Sequence, residues 1–80
     1  MNPKEIMAAR LRVPFVPFRL KLKDGTHFDV LKSQDVLPTR NTTLVGIYQD
    51  FKNVFPDVMK PLDNDNIASL ELLVPETKYE

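Results

Sequence analysis

The stretch Pro14-Phe15-Val16-Pro17-Phe18-Arg19-Leu20-Lys21-Leu22-Lys23-Asp24-Gly25-Thr26-His27-Phe28-Asp29-Val30 decides what kind of fold this chain adopts. Phe18, Leu20 and Leu22 alternate with Arg19, Lys21 and Lys23, the period of two of a half-buried strand. Beyond Asp24-Gly25, residues Thr26, Phe28 and Val30 alternate with His27 and Asp29. A two-residue turn at Asp24-Gly25 would set Leu20 against Asp29 and send the two apolar rows to opposite faces. A three-residue loop, Lys23-Asp24-Gly25, resolves this: a type I turn from Leu22 followed by a left-handed Gly25 as the bulge residue. Leu22 then faces Thr26, Leu20 faces Phe28 and Phe18 faces Val30. On the other face Arg19 meets Asp29 and Lys21 meets His27.

Eighty residues make one small domain. The absence of cysteine rules out disulfide staples and suits a reducing cytoplasm, and no cluster of metal ligands stands in for them. No apolar run approaches a membrane span, and the first residues carry no apolar stretch of signal-peptide length. Small unstapled chains commonly gain stability by self-association, so a homo-oligomer is expected. The net charge is zero but uneven: residues 1–40 hold eight basic and four acidic groups, residues 41–80 three basic and seven acidic. This is either a basic face for an anionic partner or ordinary solvated strand faces.

The flanking segments complete the outline. Asn2 can cap a short helix over about residues 3–12, with Pro3 at its first position and Glu5 at its third. Ile6, Ala9 and Val13 form its apolar stripe. The hairpin strands run over about 17–23 and 26–32, with a turn at Ser33-Gln34-Asp35. A third strand spans about 36–40, with Pro38 confining it to an edge. Residues 43–48 make the fourth, where Gly46 suggests a bulge or bend. A short extra strand at about 58–60 is ended by Pro61. Asp63 can cap a turn through Asn66, and Ile67 opens the last strand, 67–74. Pro75 ends that strand, and residues 77–80 read as a frayed tail.

Helix, hairpin, short strands and a turn before the last strand describe a mostly β, strongly bent, five-stranded antiparallel barrel of the SH3-like or Sm-like kind with a short N-terminal helix. The residues Pro14-Phe15, Pro17-Phe18-Arg19, Asp24-Gly25, Thr43-Leu44-Val45-Gly46 and Ile67…Leu70-Glu71 resemble a family of short uncharacterised bacterial proteins. These share a Pro-Phe-x-Pro-Phe-Arg opening and an Asp-Gly hairpin, and that resemblance implies no function. The order of elements also resembles Sm-like proteins, which form rings through their strand edges and bind single-stranded RNA. The bacterial members use a Tyr-Lys-His-Ala motif before the last strand. Here the corresponding residues are Asn64-Asp65-Asn66-Ile67-Ala68, without the lysine or histidine, so no RNA contact carries over.

Candidate functional residues are few. His27 is the one histidine, on an outer strand face beside Lys21 with no expected partner for base catalysis. Ser33 and Ser69 lack a nucleophile-elbow context. Asp63 and Asp65 lack the glycine and glutamate of a calcium loop. With two glycines in the chain, no phosphate-cradling pattern exists. No catalytic, cofactor or metal site is therefore expected, nor a small-molecule substrate or a membrane partner. Tyr48, Phe51 and Phe55 either fold onto the core or stand out as a protein-docking patch. Arg19 and Lys21 share a strand face that could meet an anion. The expected function is a non-enzymatic interaction module associating through strand edges. Single-stranded RNA binding is the alternative, drawing also on Arg10, Arg12 and Lys23.

Overall fold

Local capping starts the chain. In a computed structural model describing residues 1–50 and 52–74, the Asn2 side chain accepts from the Lys4 N–H at 2.9 Å and opens helix α1, Pro3–Arg10. Ile6 and Ala9 are buried on its inner face. The helix stops two residues short of the expected end, and Val13, expected on its apolar stripe, is instead 95% exposed.

The strands follow as β1 (Phe18–Leu22), β2 (His27–Val30), β3 (Val36–Pro38), β4 (Thr42–Ile47), β5 (Val58–Asp63) and β6 (Ile67–Leu72). The β1–β2 hairpin has the register deduced from the alternation: Phe18 opposite Val30, Arg19 opposite Asp29, Leu20 opposite Phe28 and Lys21 opposite His27. Its loop is closed by Gly25 N–H to Leu22 O at 3.0 Å and Leu22 N–H to Thr26 O at 2.7 Å, with Gly25 at φ +94°. Asp24 reinforces it by accepting from Thr26 N–H and Oγ1 at 2.9 and 2.7 Å.

The expected five-stranded barrel does not form. Six strands make two separate antiparallel sheets, ordered β2-β1-β6 and β3-β4-β5, and no closed barrel exists among the described residues. The reason lies at the crossovers. The chain passes between sheets through single 3₁₀ turns at Ser33–Asp35 and Asn64–Asn66, which interrupt the ladder instead of bending one strand through both sheets. The segment expected as a short strand ending before Pro61 is a full six-residue strand running through that proline. The Asn64 N–H bonds to Asn41 O at 2.9 Å, and alternation from that pair turns Pro61 outward, where β4 needs no N–H from it.

Between the sheets and α1 lies one apolar core: Ile6, Ala9, Phe18, Leu20, Val30, Val36, Val45, Leu62 and Ile67. Gly46 is neither a bulge nor a bend, since β4 pairs with β5 in unbroken register through it. It is a point of close approach, where a Cβ would lie 3.1 Å from Pro56 Cβ and 3.3 Å from Asp35 Cβ.

Candidate functional site

Among the described residues the two open sheets have four edge strands, and their sequences protect them unequally. β3 is three residues long and ends in Pro38. β2 has four residues, with His27 and Asp29 exposed. β5 is six residues long but carries Lys60 and, at an outward position, Pro61, which offers an incoming strand no donor. β6 is equally long and contains neither proline nor lysine. Its guards are the charge of Glu71 and a bulge at Ala68, where the register against β1 shifts between Lys21 opposite Ser69 and Leu22 opposite Ile67.

The free side of β6 can be specified. The Leu73 N–H donates to Pro17 O at 2.8 Å, so Glu71 and Ser69 are the residues bonded to β1 and Leu70 and Leu72 direct their N–H and C=O outward. Alongside this edge runs a groove of about 500 Å³ walled by Ala8, Ala9 and Arg12 of the helix region and by Ala68, Leu70 and Leu72. Leu70 is half-buried and Leu72 is 37% exposed. An apolar wall beside unpaired backbone groups is suited to receiving an extended segment.

A second concavity, of about 410 Å³, lies between the sheets and includes Phe28, Leu31, Lys32, Asp35, Val45 and Tyr48 in its lining. At its floor the Tyr48 hydroxyl donates to Asp35 Oδ1 at 2.6 Å, and Asp35 is almost wholly buried. That bond, then desolvation and the Asp35 charge, raises the Tyr48 phenol above its ordinary pKa. Lys32 Nζ sits 5.4 Å from the Tyr48 ring centroid, within cation–π range.

The residues singled out from sequence fall in different places. Arg19 is bound to Asp29, Nε to Oδ1 at 2.8 Å and NH2 to Oδ2 at 3.2 Å, on the outer face of the hairpin. Its bond to Arg19 holds the Asp29 carboxyl below the ordinary carboxylate range. Lys21 is exposed opposite His27. Arg10 donates to Ser33 O at 3.1 Å. Tyr48 is half-buried and engaged with Asp35, whereas Phe55 is 76% exposed with Val54 at 66% beside it. Phe51 lies outside the described residues, as do residues 75–80, which contain the expected tail at 77–80. Sequence reasoning missed Asn64, which is buried and joins three segments. It accepts from Thr43 Oγ1 at 2.6 Å and donates to Thr39 O and Arg40 O at 2.9 and 3.2 Å.

Among the described residues no helix is long and apolar enough to cross a membrane, and no group of three or more potential ligands could hold a metal ion. Compared with protein-family models, curated proteins and solved structures, the chain finds no significant match.

Proposed function

We propose that this chain is a non-enzymatic interaction module, cytoplasmic in keeping with its lack of cysteine, that self-associates by pairing an exposed strand edge with a second copy. The observation that supports this most is β6, a six-residue edge without proline or lysine, set beside an apolar groove. The one histidine, His27, is exposed opposite Lys21, a poor setting for a general base. An RNA-binding reading has less behind it, because Arg19 is already neutralised by Asp29 and Arg10 is tied to Ser33. The test is the solution mass of the full chain across a wide concentration range. A mass that climbs above the monomer with concentration is the expected result. A strict monomer at the highest attainable concentration would overturn the reading.

A further inference from the structure

The free edge of β6 selects one way of meeting its own copy. An antiparallel partner must set outward-bonding residues against outward-bonding residues, so Leu70 and Leu72 can face only Leu70 or Leu72 of a second β6, the bulge at Ala68, the turn preceding β6 or Val74 beyond it. Four two-fold registers engage both leucines: centred on Ser69, on Leu70, on Glu71 or on Leu72, and the last carries Leu70 past the end of β6 onto Val74. Centring on Glu71 sets two glutamates directly opposite at the close, non-bonded spacing, where like charges are unfavourable. Centring on Ser69 pushes Leu72 onto Asn66, inside the 3₁₀ turn, and drives the middle of the ladder through the Ala68 bulge. Centring on Leu70 avoids the charge conflict and meets the bulge only at the ends: Leu70 faces Leu70, Leu72 faces Ala68 and Glu71 faces Ser69.

We infer that two copies of this chain form a two-fold dimer in which their β6 strands pair antiparallel about Leu70, joining the two β2-β1-β6 sheets into one of six strands. This rests on the self-association reading and specifies its surface. The outer face of the joined sheet is complementary in charge. His27, Lys21 and Ser69 of one copy form a row that continues into Glu71, Arg19 and Asp29 of the second, so Glu71 gains Lys21 as a cross-strand neighbour once removed. On the inner face Leu70 and Leu72 of the second copy run along the groove walled by Ala8 and Ala9, covering leucine surface now open to water.

Ser69 supplies the test, because it is exposed and lies opposite Lys21 within its own sheet, so a glutamate there is tolerated by the monomer. In the dimer Ser69→Glu faces Glu71 twice, and two such cross-strand repulsions weaken dimerisation by about tenfold. Ser69→Lys faces the same Glu71 and leaves dimerisation intact or tighter. Leu70→Cys stands opposite itself at a Cα separation of about 5.5 Å, within disulfide range, and in a chain with no other cysteine it yields a covalent dimer on oxidation. Sedimentation equilibrium with a circular dichroism check of folding reads the first two variants, and non-reducing electrophoresis the third. Self-association that both Ser69 variants leave unchanged, with Leu70→Cys failing to cross-link, would overturn this dimer while leaving self-association standing. A strictly monomeric wild type would overturn both.

Discussion

The Thr43 hydroxyl donates to Asn64 Oδ1 at 2.6 Å, and both side chains are almost wholly buried. Through this one bond the start of β4 is fastened to the turn that leads from β5 into β6. The Asn64 amide nitrogen donates to Thr39 O and Arg40 O, and its backbone carbonyl accepts from the Met1 amino group at 2.6 Å. A single polar side chain thus closes the end of the second sheet and holds the strand that belongs to the first.

Replacing either partner tests that joint. Thr43→Val keeps the shape but leaves Asn64 Oδ1 buried without a donor, at a cost of about 1–3 kcal/mol. Asn64→Ala strands the hydroxyl and two carbonyls together and costs about 2–4 kcal/mol, allowing for partial rescue by water. Asn64→Asp is the more diagnostic change. Its carboxylate would be buried facing the Thr39 and Arg40 carbonyls, which raises its folded pKa above the unfolded value. Stability is then greatest below the unfolded carboxylate pKa and falls as pH rises through the folded one. Urea denaturation at acidic and neutral pH should therefore show this variant closest to wild type in acid.

The hairpin turn carries the second prediction. Gly25 sits at φ +94° with open space where a Cβ would go, so any cost of substitution is conformational and not steric crowding. Gly25→Ala should destabilise by about 1–2 kcal/mol, and Gly25→Asn by less, since asparagine enters the left-handed region more readily. Equal denaturation midpoints for wild type and Gly25→Ala would contradict the turn assignment.

How much of this was legible in the chain differs from element to element. The hairpin was, because Phe18 to Val30 carries a period-two pattern on both sides of a glycine, and only one loop length keeps the apolar rows on one face. The caps were too: Asn2 and Asp63 each sit just before a helical turn and accept from an N–H within it. The division into two open sheets was not, because it depends on β6 returning to β1 across most of the chain, a contact that no local pattern encodes. Pro61 misled because a proline ends a central strand but not an edge strand whose outward position it fills. At the candidate site the aromatic spacing of Tyr48 and Phe55 was visible, but not that Asp35 would be buried beneath Tyr48. Alternation onward from buried Leu62 is the one sequence signal that points to Asn64, two residues later, as an inward side chain.

The Arg19–Asp29 bridge gives the third prediction. Both side chains are about one-third exposed, at 35%, so solvent screens the pair and its worth is modest. Asp29→Asn should lower the thermal midpoint by about 1–5 °C at low ionic strength, with the difference shrinking in high salt. Asp29 is held below its ordinary pKa chiefly by the Arg19 hydrogen bond, and Asp24 below its own chiefly by the Thr26 hydroxyl. A depressed carboxylate contributes stability above its unfolded pKa and loses it as pH falls through the folded one. The wild type should accordingly lose stability below about pH 4, and the double variant Asp24→Asn, Asp29→Asn should show a flatter acid limb in thermal melts.

The alkaline limb belongs to Tyr48. Its hydroxyl donates to buried Asp35, and that bond, followed by desolvation and the Asp35 charge, raises the phenol pKa above its ordinary value near 10. The folded chain therefore keeps the phenolic proton to higher pH than the unfolded chain does. The stability this contributes is complete below the unfolded tyrosine pKa and is lost as pH rises from there through the folded one. Between about pH 9 and 11 the wild type should lose thermal stability more steeply than Tyr48→Phe, which has no proton to give up. At neutral pH the order reverses, because Tyr48→Phe deprives the buried Asp35 carboxylate of its donor. Absorbance titration of tyrosinate in the folded protein checks the cause directly: a Tyr48 phenol that ionises at or below the ordinary tyrosine pKa would break the link between the Asp35 bond and the alkaline limb.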